Sequence, residues 1–152
     1  MNKTILYITA FLMTILFFAC KKDSTGHDHD HHFDAVGMRI VSSGQTLTSY
    51  IRDDISAFNA LALTAGQETA HMDVEFFNDE DDEWETPDED DYSLEISIAD
   101  TNTAQYGQHE GEEGGFEFHL RGKQAGQTSA AFRIMHDGHA DFESRPVILN
   151  VN

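Results

Sequence analysis

Cysteine is nearly missing from this chain, and basic side chains are scarce. The single cysteine, Cys20, has no second thiol to pair with, so no intramolecular disulfide staples the fold and burial alone must hold it. Lysine and arginine number nine against twenty-eight aspartates and glutamates, a formal net charge of −19 at pH 7. Every one of these charges except Lys3 lies beyond Cys20. A surface this acidic repels nucleic acid and anionic lipid and favours cations. Also missing are a Gly-x-Ser-x-Gly elbow, a P-loop and a His-Glu-x-x-His helix. Carboxylates abound, but without apolar surroundings to shift a pKa they give no acid–base pair. No enzymatic activity is expected.

Long apolar runs are absent except at the start. Met1-Asn2-Lys3 carries the positive charge, Ile5 to Phe18 is almost wholly apolar, and Phe17-Phe18-Ala19-Cys20 closes the run with a small residue before the cysteine. Such a run is short for the ~20 residues of a membrane span and has the layout of a processing signal. It resembles a bacterial lipoprotein signal. The resemblance implies that residues 1–19 are removed and that Cys20 becomes the acylated first residue, inserted in the lipid bilayer. It implies a lipid-anchored protein of a Gram-negative outer membrane, facing the periplasm or the cell surface. Lys21-Lys22-Asp23, directly after the cysteine, is the kind of charged tract that accompanies surface export in one group of such bacteria. An uncleaved anchor helix is the alternative, and it also tethers the chain outside the cytoplasm. With Cys20 acylated, no thiolate remains for a metal or a nucleophile.

Residues 20–33 contain Gly26-His27-Asp28-His29-Asp30-His31-His32 and no apolar period. A segment of this composition cannot bury enough surface to fold alone, so it is expected to be a flexible arm. His27, His29, His31 and His32 would capture Zn²⁺, Cu²⁺ or Ni²⁺ loosely, or the arm is simply a hydrophilic tether.

From residue 34 to 152 the sequence alternates in polarity over short segments. Met72, Val74 and Phe76 fall on one face of a strand; Leu94, Ile96 and Ile98 do the same, as do Phe116, Phe118 and Leu120, then Phe132 and Ile134, then Val147, Leu149 and Val151. Those from Met72 to Ile134 are the expected core, with Phe118 inside and Glu117 outside, and Val147, Leu149 and Val151 supply a last strand. Only residues 51–63 also fit a short helix. Strands about ten residues apart with Gly, Asn and Asp between them predict one all-β domain, an antiparallel β-sandwich. Ile98-Ala99-Asp100-Thr101-Asn102-Thr103-Ala104, then Gly122-Lys123-Gln124-Ala125-Gly126-Gln127-Thr128, then Val147-x-Leu149-x-Val151 resemble the second half of a bacterial immunoglobulin-like group 2 domain. That resemblance implies an immunoglobulin-like fold.

Successive antiparallel strands alternate in direction, which predicts that loops 78–91, 109–115 and 136–146 share one pole. The first is carboxylate throughout residues 79–91 except at Trp84, Thr86 and Pro87. It is either a solvated charge run or an oxygen-ligand site for Ca²⁺, without the spacing of an EF-hand. Trp84 would anchor it, or offer a stacking face to a cationic or sugar ligand. The third loop holds His136, His139 and Asp141, an H-x-x-H-x-D element in which Gly138 permits a tight turn. Two imidazoles and a carboxylate suit Zn²⁺, with copper or nickel fitting the same ligands, and His109 or Glu112 would complete the shell. The plain alternative is a solvated turn. His71 and His119 fall on outward strand faces and are expected to be incidental. The leading expectation is a metal-binding lipoprotein that captures or buffers zinc and passes it to a metal transporter or outer-membrane receptor. The alternative is an immunoglobulin-like adhesion or protein and glycan interaction module without metal.

Overall fold

Alternating polarity carries the chain into extended structure from Ala35 to Val151. The computed structural model describes residues 32–152. The apolar N-terminal run, Cys20, His27, His29 and His31 lie outside the described residues, so the expected lipid anchor and most of the arm do too. The strands are β1 (Ala35–Ser42), β2 (Gln45–Ile51), β3 (Leu61–Leu63), β4 (Met72–Asn78), β5 (Glu83–Glu85), β6 (Tyr92–Ile98), β7 (Ala104–Gly107), β8 (Glu117–Gly122), β9 (Gly126–His136), β10 (His139–Glu143) and β11 (Val147–Val151). No helix occurs among the described residues. Residues 51–63, which also suited a helix, instead make turns that lead into β3 and leave Ile55 exposed.

Two sheets result. The first runs β2-β1-β4-β8-β7, with β5 folded back on β4; the second runs β10-β9-β11-β3, with β6 on the other side of β9. Ladders are antiparallel except for β3 with β11. The inner faces share one apolar core, and Phe118 of the first sheet meets Phe132 of the second with ring centroids 5.4 Å apart. Period-two alternation is the reason: each of these strands sends every second side chain inward. All expected core residues are buried apart from Ile98, which is partly buried at the end of β6. Phe118 is fully buried and Glu117 exposed, as alternation required.

Three local features differ from expectation. Phe33 is not part of a loose arm: its ring packs edge-on against Phe76 and Tyr92, and the compact unit begins at His32. The acidic stretch opens as a hairpin, because β5 pairs with the end of β4. Residues 136–146 are not an open loop, since β9 and β10 form a tight hairpin there. The three polar segments do meet at one end. The Leu94 N–H donates to the Gly114 carbonyl at 2.6 Å, and Tyr92 sits opposite His136 in the β6–β9 ladder.

Candidate metal centre

The hairpin turn is built by Asp137 and Gly138, with φ of +47° and +84°. Positive φ at both central residues matches the twist of the flanking strands, and Asp-Gly tolerates it. His136 and His139 thereby become direct cross-strand partners. His136 continues the inward stripe of Ala130, Phe132 and Ile134, so it stands at the rim of the core with its side chain only 15% exposed. Tyr92 lies against its ring at 4.8 Å.

One residue further on, the ladder slips. Ala140 pairs with Met135 and Phe142 with Ile134, leaving Asp141 as the extra residue of a β-bulge. Bulges re-aim side chains, and Asp141 is turned inward, its side chain 1% exposed, whereas Asp137 four positions earlier is 84% exposed. Three groups converge on its carboxylate. His139 Nε2 lies 3.0 Å from Oδ1, His32 Nδ1 3.0 Å from the same oxygen, and His136 Nδ1 3.6 Å from Oδ2. The Phe33 N–H donates to Oδ2 at 3.2 Å. Burial pushes the Asp141 carboxyl up, but the His32 contact, the Phe33 N–H and the charges of His32 and His139 outweigh it and hold it below the usual carboxylate range.

His32, His136, His139 and Asp141 each offer one ligand atom, and these four atoms all lie within 4.8 Å of one another. Zinc bonds of about 2.0–2.1 Å place tetrahedral ligands about 3.4 Å apart. The separations from Asp141 already bracket that edge. His136 Nδ1 is buried without a hydrogen-bond partner, which in a native interior calls for an explanation. The surroundings are acidic. Burial first, then Asp141, Asp91 and Asp34, raises the Tyr92 hydroxyl pKa, the mark of a negative field at this pole.

The ligand set differs from the expected one in its fourth member. Neither His109 nor Glu112 joins this group: His109 gathers with His71 and His119, and Glu112 with His71 and Glu117. Although its loop starts at the pole, the His109 ring contacts His119 in β8, where Gly107 of β7 is the ladder partner. The fourth member is His32, assigned from composition to the arm. Sequence signals missed two things here: the inward bulge at Asp141, and the return of His32 over 109 positions to meet it. The tight turn expected at Gly138 is present, within a hairpin that was not foreseen.

None of the three groups of converging ligand atoms among the described residues draws on the acidic stretch 79–91. Trp84 packs down on Phe77 and lies under the Arg39 guanidinium, 4.8 Å from its ring centroid, so its face is already taken by a cation of the chain itself.

No family model and no curated protein matches the chain. Among solved structures it is similar to domains 4 and 5 of the S-layer protein SbsC, at 17% identity and a TM-score of 0.44 over 61% of this chain and 47% of that one. Domains 5–6 of the same protein give 19% identity and 0.44 over 62% and 40%, and domains 4–9 give 18% and 0.45 over 62% and 13%. The chain spans less than half the length of each of these structures. A likeness so distant assigns neither family nor function.

Proposed function

We propose that this protein is a lipid-anchored, extracytoplasmic binder of divalent transition-metal ions that captures zinc at the His32, His136, His139 and Asp141 pole. The observation that carries the reading is the convergence of four ligand atoms on one point, beside a buried imidazole nitrogen that lacks a hydrogen-bond partner. Three imidazoles and a carboxylate match the chemistry of a closed zinc shell, and Cu²⁺ or Ni²⁺ would fit the same donors. Asp141 is held ionised before any metal arrives, so its share of the ligand deprotonation that binding requires is already met. The acidic rim raises the local cation concentration. Capture or buffering, with release to a membrane transporter or receptor, is the role that such a site behind an acylated Cys20 would serve. An outer-membrane anchor and an immunoglobulin-like fold are part of this proposal and rest on the sequence resemblances alone. The adhesion alternative loses one of its supports, because Arg39 covers the Trp84 ring that would have stacked on a ligand.

The test is equilibrium dialysis against Zn²⁺ with the full-length chain in detergent micelles, His27, His29 and His31 each replaced by Ala to silence the arm. Adding His136→Ala and His139→Ala should remove one bound equivalent. Unchanged stoichiometry would sink the pole site.

A further inference from the structure

Alternating polarity places His71 and His119 on strand faces that point away from the core. The structure brings them together with His109 on the outer side of the first sheet. His71 precedes β4, and the β4–β8 ladder, which pairs Met72 with Phe118, sets it beside His119. The ring centroids of His71 and His119 are 4.6 Å apart, those of His109 and His119 4.7 Å, and those of His71 and His109 5.4 Å. Gln108 fixes the loop that carries His109: its amide donates to the Gly115 and Glu117 carbonyls, and its carbonyl oxygen accepts the Gly114 N–H.

Tautomers follow from the partners. His119 Nδ1 lies 3.2 Å from the Thr69 carbonyl oxygen, which can only accept, so the proton sits on Nδ1 and the lone pair on Nε2. His71 Nδ1 lies 3.3 Å from the Glu117 carboxylate, likewise an acceptor. This engagement of one ring nitrogen by a carbonyl or carboxylate is the arrangement that orients metal-ligating histidines through the other nitrogen. His119 Nε2 then faces His109 Nε2 at 2.9 Å, a contact that needs a proton or a cation between two lone pairs. A proton on His109 satisfies that pair and leaves His71 Nε2 buried without a hydrogen-bond partner. A metal ion satisfies all three.

We infer that His71, His109 and His119 form a second divalent transition-metal site, separate from the pole. Their ligand atoms lie within 4.8 Å of one another. The Glu112 carboxylate, 4.0 Å from His71 Nε2, is placed to supply an oxygen as a fourth ligand. Neutral imidazoles without sulfur select zinc, copper or nickel over calcium or magnesium. The protein is then a two-site carrier, with the sites on different ligand sets and filled independently.

The experiment uses the full-length chain in micelles carrying His27→Ala, His29→Ala and His31→Ala together with His136→Ala and His139→Ala, so the arm and the pole are already silent. Zn²⁺ alone is the probe, read by equilibrium dialysis and by ¹H–¹⁵N NMR of the imidazole rings. One equivalent should bind and shift the ring signals of His71, His109 and His119. A further His109→Gln change, in a loop outside the core, should abolish both effects. Coincident urea unfolding curves in chelator for the chains with and without that change would show that the fold is kept. No bound Zn²⁺ in the starting chain, binding that leaves the three ring signals in place, or binding that survives His109→Gln would each overturn the site.

Discussion

Asp100 shows how one exposed carboxylate organises a turn. Its Oδ1 accepts the Asn102 N–H at 3.0 Å and its Oδ2 accepts the Thr103 hydroxyl at 2.8 Å, which closes the turn between β6 and β7. Those hydrogen bonds, the Thr103 one foremost, lower its pKa from the ordinary 3.8. A carboxyl depressed in the folded state contributes stability that is fully present above its unfolded pKa and is lost as pH falls through the folded value. The acid limb of stability should therefore include Asp100, titrating below pH 3.8. Asp100→Asn retains an acceptor for Asn102 but no ionisation. Urea midpoints measured from pH 5 down to pH 2 should fall less steeply in the variant; parallel curves would remove Asp100 from the acid response.

At the scale of elements, β9 is the strand on which the second sheet depends. Its first half pairs with β11 and its last residues with β10. Where the partner changes, the buried Ser144 hydroxyl accepts the Phe132 N–H at 2.9 Å and donates to the Arg145 carbonyl at 3.0 Å, and the Ser144 N–H returns to the Phe132 carbonyl. A side chain thus stands in for a missing strand neighbour. Ser144→Ala would leave the Phe132 N–H buried and unpaired, a loss of about 1–3 kcal/mol. Phe118→Ala, at the centre of the sheet contact, should cost about 3–5 kcal/mol through lost burial and a residual cavity. Both are read from the denaturation midpoint at constant slope. Of the strands carrying that core, β4, β6, β8, β9 and β11 were legible because each alternates cleanly over five or more residues; Met38, Ile40 and Tyr50 of β1 and β2 and Leu61 and Leu63 of the three-residue β3 enter the same core without so long a stripe to mark them. β5 was hidden within a run of carboxylates, since Glu83-Trp84-Glu85 has a single apolar residue to signal its pairing with Phe77. β10 was hidden because its bulge breaks the alternation that identifies a strand, and bulges leave no compositional mark of their own.

The whole molecule explains why three of the four pole ligands, but not the fourth, could be seen in advance. His136, His139 and Asp141 lie within six consecutive residues, so local spacing exposes them. His32 comes from the far end of the folded unit, and His71 joins His119 only through strand pairing between distant segments. A bound ion at the pole would accordingly link the segment before β1 to the β9–β10 hairpin, two parts of the chain separated by most of its length. Metal that binds only the native state stabilises it by mass action, about 2.7 kcal/mol when free Zn²⁺ is 100 times Kd, or about 10 °C in melting temperature for a domain of this size. The measurement belongs in a full-length chain with His27→Ala, His29→Ala and His31→Ala to silence the arm and His71→Ala and His119→Ala to silence the second cluster. In that background Zn²⁺ should raise the melting temperature at pH 7.5, and His32→Ala should reduce the rise by removing a ligand from the closing segment. Imidazoles bind metal only when neutral, so protons compete with the ion and the rise should shrink as the pH is lowered from 7.5. A Zn²⁺-induced rise indifferent both to His32→Ala and to acid would mean that the ion is held elsewhere, and the pole would then be an ion-paired cluster of histidines around a buried aspartate.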